Sequence, residues 1–131
     1  MVDPERWVAV VDDDEFVRRS LARLLRAYGI SARTYDSAQD YLRAVPDMTP
    51  ACIILDMHLR DAMTGLELSE HLRAQDAAPP IIFISAHDGL DLGPGGVGPG
   101  SVVLLRKPFN PASLLELVLQ RVRPDLENAA Q

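Results

Sequence analysis

The sequence predicts an α/β fold, a doubly wound, five-stranded parallel sheet with helices packed on both faces. Short apolar runs alternate with helical patterns along the chain, and this alternation is typical of parallel sheets. Four of the five predicted strands are apolar at nearly every position, as strands are when helices bury both of their faces. The 131 residues are enough to form one hydrophobic core and too few for a second large domain.

Five short segments are the predicted strands. Four are apolar runs of five residues, a length typical of buried strands, and the second alternates weakly between apolar and polar residues. They span 7–11, 30–35, 51–55, 80–84 and 101–105. Cys52, the sole cysteine, lies in the third run and is expected to be a buried thiol without a disulfide, which suits a cytoplasmic location. No run approaches the ~18 apolar residues of a membrane span, so no membrane partner is expected.

Spacing and capping residues predict the helices. Apolar residues from Val17 to Tyr28 recur three and four positions apart, and Gly29 ends that helix. Three further helices begin at residues whose side chains cap helix N-termini, which are Ser37, Thr64 and Asn110. Four aromatic residues are expected to pack in or beside the core: Phe16, Tyr28, Tyr35 and Tyr41.

The stretch 93–100 stands where the pattern requires its fourth helix, between the fourth and fifth strands. It contains five glycines and two prolines, which penalise a helix by roughly 10 kcal/mol. Whole domains are stable by only ~5–15 kcal/mol, so we expect this helix to be replaced by a Gly/Pro-rich loop. The stretch lacks the Gly-Lys-Ser/Thr ending and the strand-to-helix position of a phosphate-binding loop.

Polar side chains stand at the ends of four predicted strands: Asp12 and Asp13, Asp56, Ser85, and Lys107 just after the fifth strand. In an open parallel sheet, ligands bind at the carboxyl ends of the strands. Three converging carboxylates repel one another, and Mg²⁺ relieves this because it prefers carboxylate, water and phosphate oxygens. A hydroxyl and an ammonium suit the remaining oxygens of a phosphoryl group. Lys107 is the only lysine among 13 basic residues, and a guanidinium does not replace an ammonium in a tight site.

Four motifs in this order resemble the receiver domains of two-component response regulators. The resemblance covers residues 7–122, and the motifs are Val11-Asp12-Asp13, Ile54-Leu55-Asp56, Ile84-Ser85-Ala86 and Lys107-Pro108-Phe109. It implies a flavodoxin-like strand order of 2-1-3-4-5, with a receiver domain over 1–124 and a flexible C-terminal tail over 125–131.

The resemblance also implies a site. Asp56 would be the phosphoacceptor, with Lys107 neutralising the transferred phosphoryl group and Ser85 hydrogen-bonding it afterwards. Mg²⁺ would be the cofactor. Its ligands would be Asp12, Asp13, Asp56 and the backbone carbonyl of His58. His58 and His87 either tune hydrolysis of the phosphoryl group or are merely exposed loop residues.

The function that follows is phosphoryl transfer from a sensor histidine kinase or a phosphotransfer protein to Asp56, with signalling by altered partner binding. The chain would catalyse only its own phosphorylation and dephosphorylation, and would not be an enzyme in the ordinary sense. The output partner is unspecified, and a second copy of the chain is a further candidate. The formal charge of −6 argues against direct contact with nucleic acid.

Three departures from the family pattern keep alternatives open. Arg60 replaces the usual proline, Gly65 lies nine rather than eight residues after the acceptor, and Leu104 replaces the usual aromatic switch residue. Arg60 and the later glycine alter the loop after Asp56 and not the acceptor itself. Leu104 and the Gly/Pro-rich stretch favour a receiver-like interaction module that does not switch, whereas the intact acidic pair, Asp56, Ser85 and Lys107 oppose it. A phosphatase with an aspartyl nucleophile is a third hypothesis, with His58 placed to activate water but no substrate-capping domain.

Amide exchange tests the Gly/Pro-rich stretch. We expect the amides of 93–100 to exchange without the protection of a stable helix, both with and without beryllofluoride and Mg²⁺. In a switching domain, beryllofluoride should change exchange within 87–106. Helix-like protection of 93–100 would contradict the loop, and no change within 87–106 would favour the non-switching module.

Overall fold

A computed structural model describes residues 7–44, 49–57, 59, 63–74, 79–85, 103–106 (as backbone) and 110–122. Its strands are β1 (Trp7–Val11), β2 (Ser31–Tyr35), β3 (Cys52–Asp56), β4 (Ile81–Ser85) and β5 (Val103–Arg106). Its helices are α1 (Glu15–Ala27), α2 (Ala38–Arg43), α3 (Gly65–Ala74) and α4 (Pro111–Val122).

All strand pairs are parallel, and the sheet order is β2-β1-β3-β4-β5. The α/β class and the parallel order β2-β1-β3-β4 expected from the sequence are confirmed. β5 pairs with the outer edge of β4, with Leu104 opposite Phe83. The chain winds outward from β1 in both directions, so the strand order reverses between β1 and β3. Ligands of such sheets bind at this reversal, beyond the carboxyl ends of the strands.

The helices cover both faces of the sheet, and each face forms one hydrophobic layer with the helices packed on it. Alternate residues of a strand point to opposite faces, so Trp7, Ala9 and Val11 enter one layer while Val8 and Val10 enter the other. The first layer includes residues of α2 and α3, namely Ala38, Tyr41, Leu68 and Leu72. The second includes residues of α1 and α4, namely Leu21, Leu25, Leu114 and Val118. The sheet is therefore doubly wound, as predicted.

The predicted capping residues occupy their expected positions. Ser37 Oγ accepts a hydrogen bond from the Asp40 amide at 3.0 Å, and Asn110 Oδ1 accepts one from the Ala112 amide at 2.8 Å. Thr64 and Glu67 form a reciprocal capping box, with distances of 3.0 and 3.1 Å. The hydrogen bond from the Thr64 backbone amide, and to a lesser extent that from its side chain, lower the pKa of the Glu67 carboxyl below its usual value.

The aromatic residues divide into two pairs. Tyr35 and Tyr41 are buried and meet edge to face, with ring centroids 5.3 Å apart, and burial raises the pKa of Tyr41 to about 12. Phe16 and Tyr28 are 77% and 54% exposed, so placing them in or beside the core was wrong. Phe16 is the second residue of α1 and lies off the buried stripe, and Tyr28 lies just beyond the last turn.

Cys52 is fully buried in β3, as predicted, and burial raises the pKa of its thiol to about 12. Within the described residues, every helix is too short or too polar to span a bilayer. The stretch 93–100 and the tail 125–131 lie outside the described residues. The expected loop and the expected flexible tail therefore stay predictions.

Ile54→Ala tests the central core. Ile54 lies in β3 with no exposed surface, so its truncation should lower the free energy of unfolding by about 2–5 kcal/mol through lost burial and a cavity. Phe16→Ala is the control, because removal of an exposed side chain should change the free energy of unfolding by only about 0.5 kcal/mol or less. Urea denaturation measures both, and equal losses in the two variants would contradict this assignment of the core.

Candidate functional site

The carboxyl ends of β1 and β3 bring the predicted acidic residues together. Val11 lies opposite Leu55 in the parallel register, so the next residues, Asp12 and Asp56, are neighbours across the two strands. Asp13 follows at the start of the loop into α1. One carboxylate oxygen from each of Asp12, Asp13 and Asp56 lies within 4.8 Å of the others. Three of the predicted site residues thus form a single cluster.

Burial makes the placement of these charges costly. The Asp12 side chain has no exposed surface and Asp56 is 5% exposed, while Asp13 is partly exposed. A carboxylate loses hydration when it is buried, and a second carboxylate nearby repels it. Hydrogen bonds and groups of opposite charge offset such costs.

Hydrogen bonds fix the chain around Asp12. Its amide donates to the carbonyl of Tyr35 at the end of β2, at 3.1 Å. Its Oδ1 accepts a hydrogen bond from the Asp14 amide at 2.9 Å, and its carbonyl accepts one from Arg18 Nη1 at 2.8 Å. Asp14 Oδ1 in turn accepts hydrogen bonds from the amides of Phe16 and Val17 in the first turn of α1, and the Phe16 bond is 2.8 Å long. Asp14 is therefore the N-cap of α1.

Ser85 ends β4 at the same edge of the sheet. Its side chain is 1% exposed, and the preceding residue, Ile84, lies opposite Asp56 in the register. The Met57 amide donates to the Ile84 carbonyl at 3.0 Å, so β3 and β4 stay paired up to the site. Arg106, opposite Ser85 in β5, directly precedes Lys107. Lys107 and His58 lie outside the described residues, so their roles stay predictions.

The donor set suits a hard divalent cation. The cluster supplies oxygen ligands alone, from three carboxylates, and Mg²⁺ is held in proteins by one or two carboxylates together with waters and phosphate oxygens. Among the residues that the structure describes, the cluster contains no thiol or imidazole that would favour a softer metal. The carboxylates of Asp12, Asp13 and Asp56 therefore fit the magnesium ion expected from the sequence.

Gly65 has a contact that the sequence argument did not predict. It opens α3 against the backbone of Asp56 and Met57. A Cβ on Gly65 would lie 2.9 Å from the Met57 Cα and closer still to the Asp56 carbonyl oxygen, so only glycine fits there without a shift of the backbone. α3 thus braces the backbone of the predicted acceptor. The sequence feature that could have indicated this contact is a glycine within the Thr64–Glu67 capping box, shortly after a strand that ends in an aspartate.

The chain matches the family model of the response regulator receiver domain over residues 8–119. It is 36% identical to the transcriptional regulatory protein TdiR of Thauera aromatica over 129 residues, which cover 95% of this chain and 56% of TdiR. The chain spans about half the length of the curated relatives that it matches.

Two solved structures share the fold. The response regulator StyR superposes with a TM-score of 0.82 at 34% identity, over 95% of this chain and 63% of StyR. A response regulator receiver protein from Burkholderia phymatum superposes with a TM-score of 0.75 at 37% identity, over 89% of this chain and 94% of that one.

Gly65→Ala tests the brace. Helix propensity alone would make alanine stabilising by up to ~1 kcal/mol, whereas the contact with the Asp56 backbone should make it destabilising by about 1–3 kcal/mol. Urea denaturation distinguishes the two signs. Glu70→Ala, at an exposed position of the same helix, is the control. A Gly65→Ala protein at least as stable as the unchanged chain would contradict the contact.

Proposed function

The chain belongs to the response regulator receiver domain family, and we propose that it accepts a phosphoryl group on Asp56 in a Mg²⁺-dependent reaction. The observation that carries the proposal is the acidic cluster. Asp56 ends a central buried strand, and its carboxylate lies within 4.8 Å of the carboxylates of Asp12 and Asp13. That arrangement combines a nucleophile with ligands for a cation that would neutralise an incoming phosphoryl group.

The reaction makes Asp56 the nucleophile. One of its carboxylate oxygens forms a bond to phosphorus while the phosphorus–nitrogen bond of a phosphohistidine donor breaks. The imidazole nitrogen of the donor keeps the electron pair, and Asp56 becomes an acyl phosphate. The strand end and the Gly65 contact hold the Asp56 backbone still, which keeps the attacking oxygen aligned with the phosphorus.

The other site residues would stabilise the charge of the transferred phosphoryl group and bind it once it is on Asp56. Mg²⁺, when bound by Asp12, Asp13, Asp56 and the His58 carbonyl, would stabilise the charge on the transferred group. Lys107, next to Arg106 at the end of β5, would neutralise a further phosphoryl oxygen. Ser85, buried at the end of β4, would donate its hydroxyl hydrogen to the phosphoryl group once Asp56 is modified.

The partners of the reaction follow from this chemistry. A sensor histidine kinase or a phosphotransfer protein would supply the phosphoryl group, in the cytoplasm, and the domain would catalyse only its own phosphorylation and dephosphorylation. TdiR is named as a transcriptional regulatory protein, and in a longer protein this domain would control such an output through partner binding or through a second copy. Contact of the domain itself with nucleic acid is disfavoured by its charge of −6.

A non-switching interaction module is the second candidate. Leu104 lies in β5 opposite Phe83, at the position where the family resemblance leads us to expect an aromatic side chain that rotates on phosphorylation. Without such a ring, the acidic cluster would still bind a cation, yet occupation of Asp56 would not be transmitted to the partner surface. Phosphorylation that leaves the rest of the domain unchanged would favour this candidate.

Labelling with acetyl phosphate tests the acceptor. Mass spectrometry should find one phosphoryl group on Asp56, and its amount should fall to background in Asp56→Asn or in EDTA. Asp36→Asn is the matched control, because Asp36 is an exposed aspartate that follows β2 at the same edge of the sheet, and its labelling should equal that of the unchanged chain. Undiminished labelling of Asp56→Asn would overturn the proposal.

A further inference from the structure

Three hydrogen bonds close a ring around the turn that carries the acidic pair. The Asp14 amide donates to Asp12 Oδ1 at 2.9 Å, and the Arg18 amide donates to the Asp14 carbonyl at 3.0 Å. Arg18 Nη1 then donates to the Asp12 carbonyl at 2.8 Å. The ring contains only Asp12, Asp14 and Arg18, and Asp13 lies on the chain between the first two. We refer to it as the Asp12 ring.

The Asp12 ring lies at the part of the chain where neighbouring carboxylates repel one another. The carboxylates of Asp12 and Asp13 are adjacent in sequence and repel each other, and both repel Asp56 across the strands. This repulsion acts to separate the three carboxylates. The Arg18 bond opposes this, because it joins the carbonyl of the residue before Asp13 to a helix that begins just after it.

We propose that Arg18 is a positioning residue that holds Asp12 and Asp13 in the geometry that binds Mg²⁺. The inference rests on the proposed function, because it concerns the same cation site. Arg18 acts through the main chain of Asp12, whose carbonyl it contacts, and not as a ligand. Groups that orient metal ligands in this way typically change metal affinity by 10–100-fold when they are removed.

The direction of the change in Mg²⁺ affinity distinguishes a positioning role of Arg18 from an effect of its charge alone. Loss of a cation beside an acidic cluster should strengthen binding of a divalent cation on Coulombic grounds alone. Loss of a positioning contact should weaken it. Arg19, the next residue, carries the same charge, and its side chain is exposed on the surface of α1, so Arg19→Met measures the charge effect by itself.

Isothermal titration of the full chain with MgCl₂ is the test, with Arg18→Met and Arg19→Met compared with the unchanged protein. We expect Arg18→Met to bind Mg²⁺ about tenfold more weakly and Arg19→Met to bind within twofold of the unchanged protein or more tightly. The rate of acetyl phosphate labelling at saturating Mg²⁺ should stay within twofold in Arg18→Met, because the defect lies in Mg²⁺ binding and not in the nucleophile. A merely structural role would lower thermal stability and leave the Mg²⁺ affinity of the folded protein unchanged.

Equal Mg²⁺ affinity in Arg18→Met and Arg19→Met would overturn the inference. If Arg18→Met does not fold, Arg18→Lys takes its place. It keeps the charge but replaces the planar guanidinium, so it should bind Mg²⁺ more weakly than the unchanged chain, and an unchanged affinity would overturn the inference. Failure of the unchanged chain to bind Mg²⁺ would overturn the proposed function instead, so the two failures are distinguishable.

Discussion

Repulsion between carboxylates is the constraint on which the rest of this domain depends. Carboxylate oxygens of Asp12, Asp13 and Asp56 lie within 4.8 Å of one another, and like charges at such distances repel more strongly in a protein than in water. The fold can keep Asp12, Asp13 and Asp56 together only because other groups compensate, whether by hydrogen bonding, by opposite charge or by a bound cation.

The compensation begins with the backbone. β1 and β3 are adjacent inner strands of the sheet and are buried at every position, so their ends cannot move apart without breaking the pairing between them. Asp14 then links the site to α1, since it caps the helix and also orients the Asp12 carboxylate. Helix stability and site geometry are therefore coupled through one residue, and a change that weakens the cap will also loosen the acidic pair.

Much of this architecture could be predicted because local signals encode it. The strands follow from short apolar runs, and the helix starts at Ser37, Thr64 and Asn110 follow from side chains that bond within three residues. The approach of Asp12 to Asp56 required more than periodicity, because strand order is a property of the whole chain. It came from the combination of acidic strand ends with the resemblance to a known family.

The features that the sequence did not reveal depend on tertiary contacts. The Gly65 contact joins residues nine positions apart across a loop, and no spacing rule predicts it. The Arg18 bond spans six positions between a strand end and a helix, and arginine on an exposed helix is ordinarily read as a solubilising residue. Phe16 was placed wrongly because an aromatic side chain indicates burial only when its face of the helix is known.

The Gly65 contact also makes the segment after Asp56 a closed loop, since the chain leaves the Asp56 carbonyl and returns to it at Gly65. The entropy of closing a flexible loop grows only with the logarithm of its length, so nine residues instead of eight cost about 0.1 kcal/mol more. Closure entropy therefore tolerates an extra residue in this loop, whereas the contact with the Asp56 backbone admits only glycine at position 65 without a backbone shift. Lengthening the loop is thus expected to leave the acceptor in place, while substituting the glycine is not.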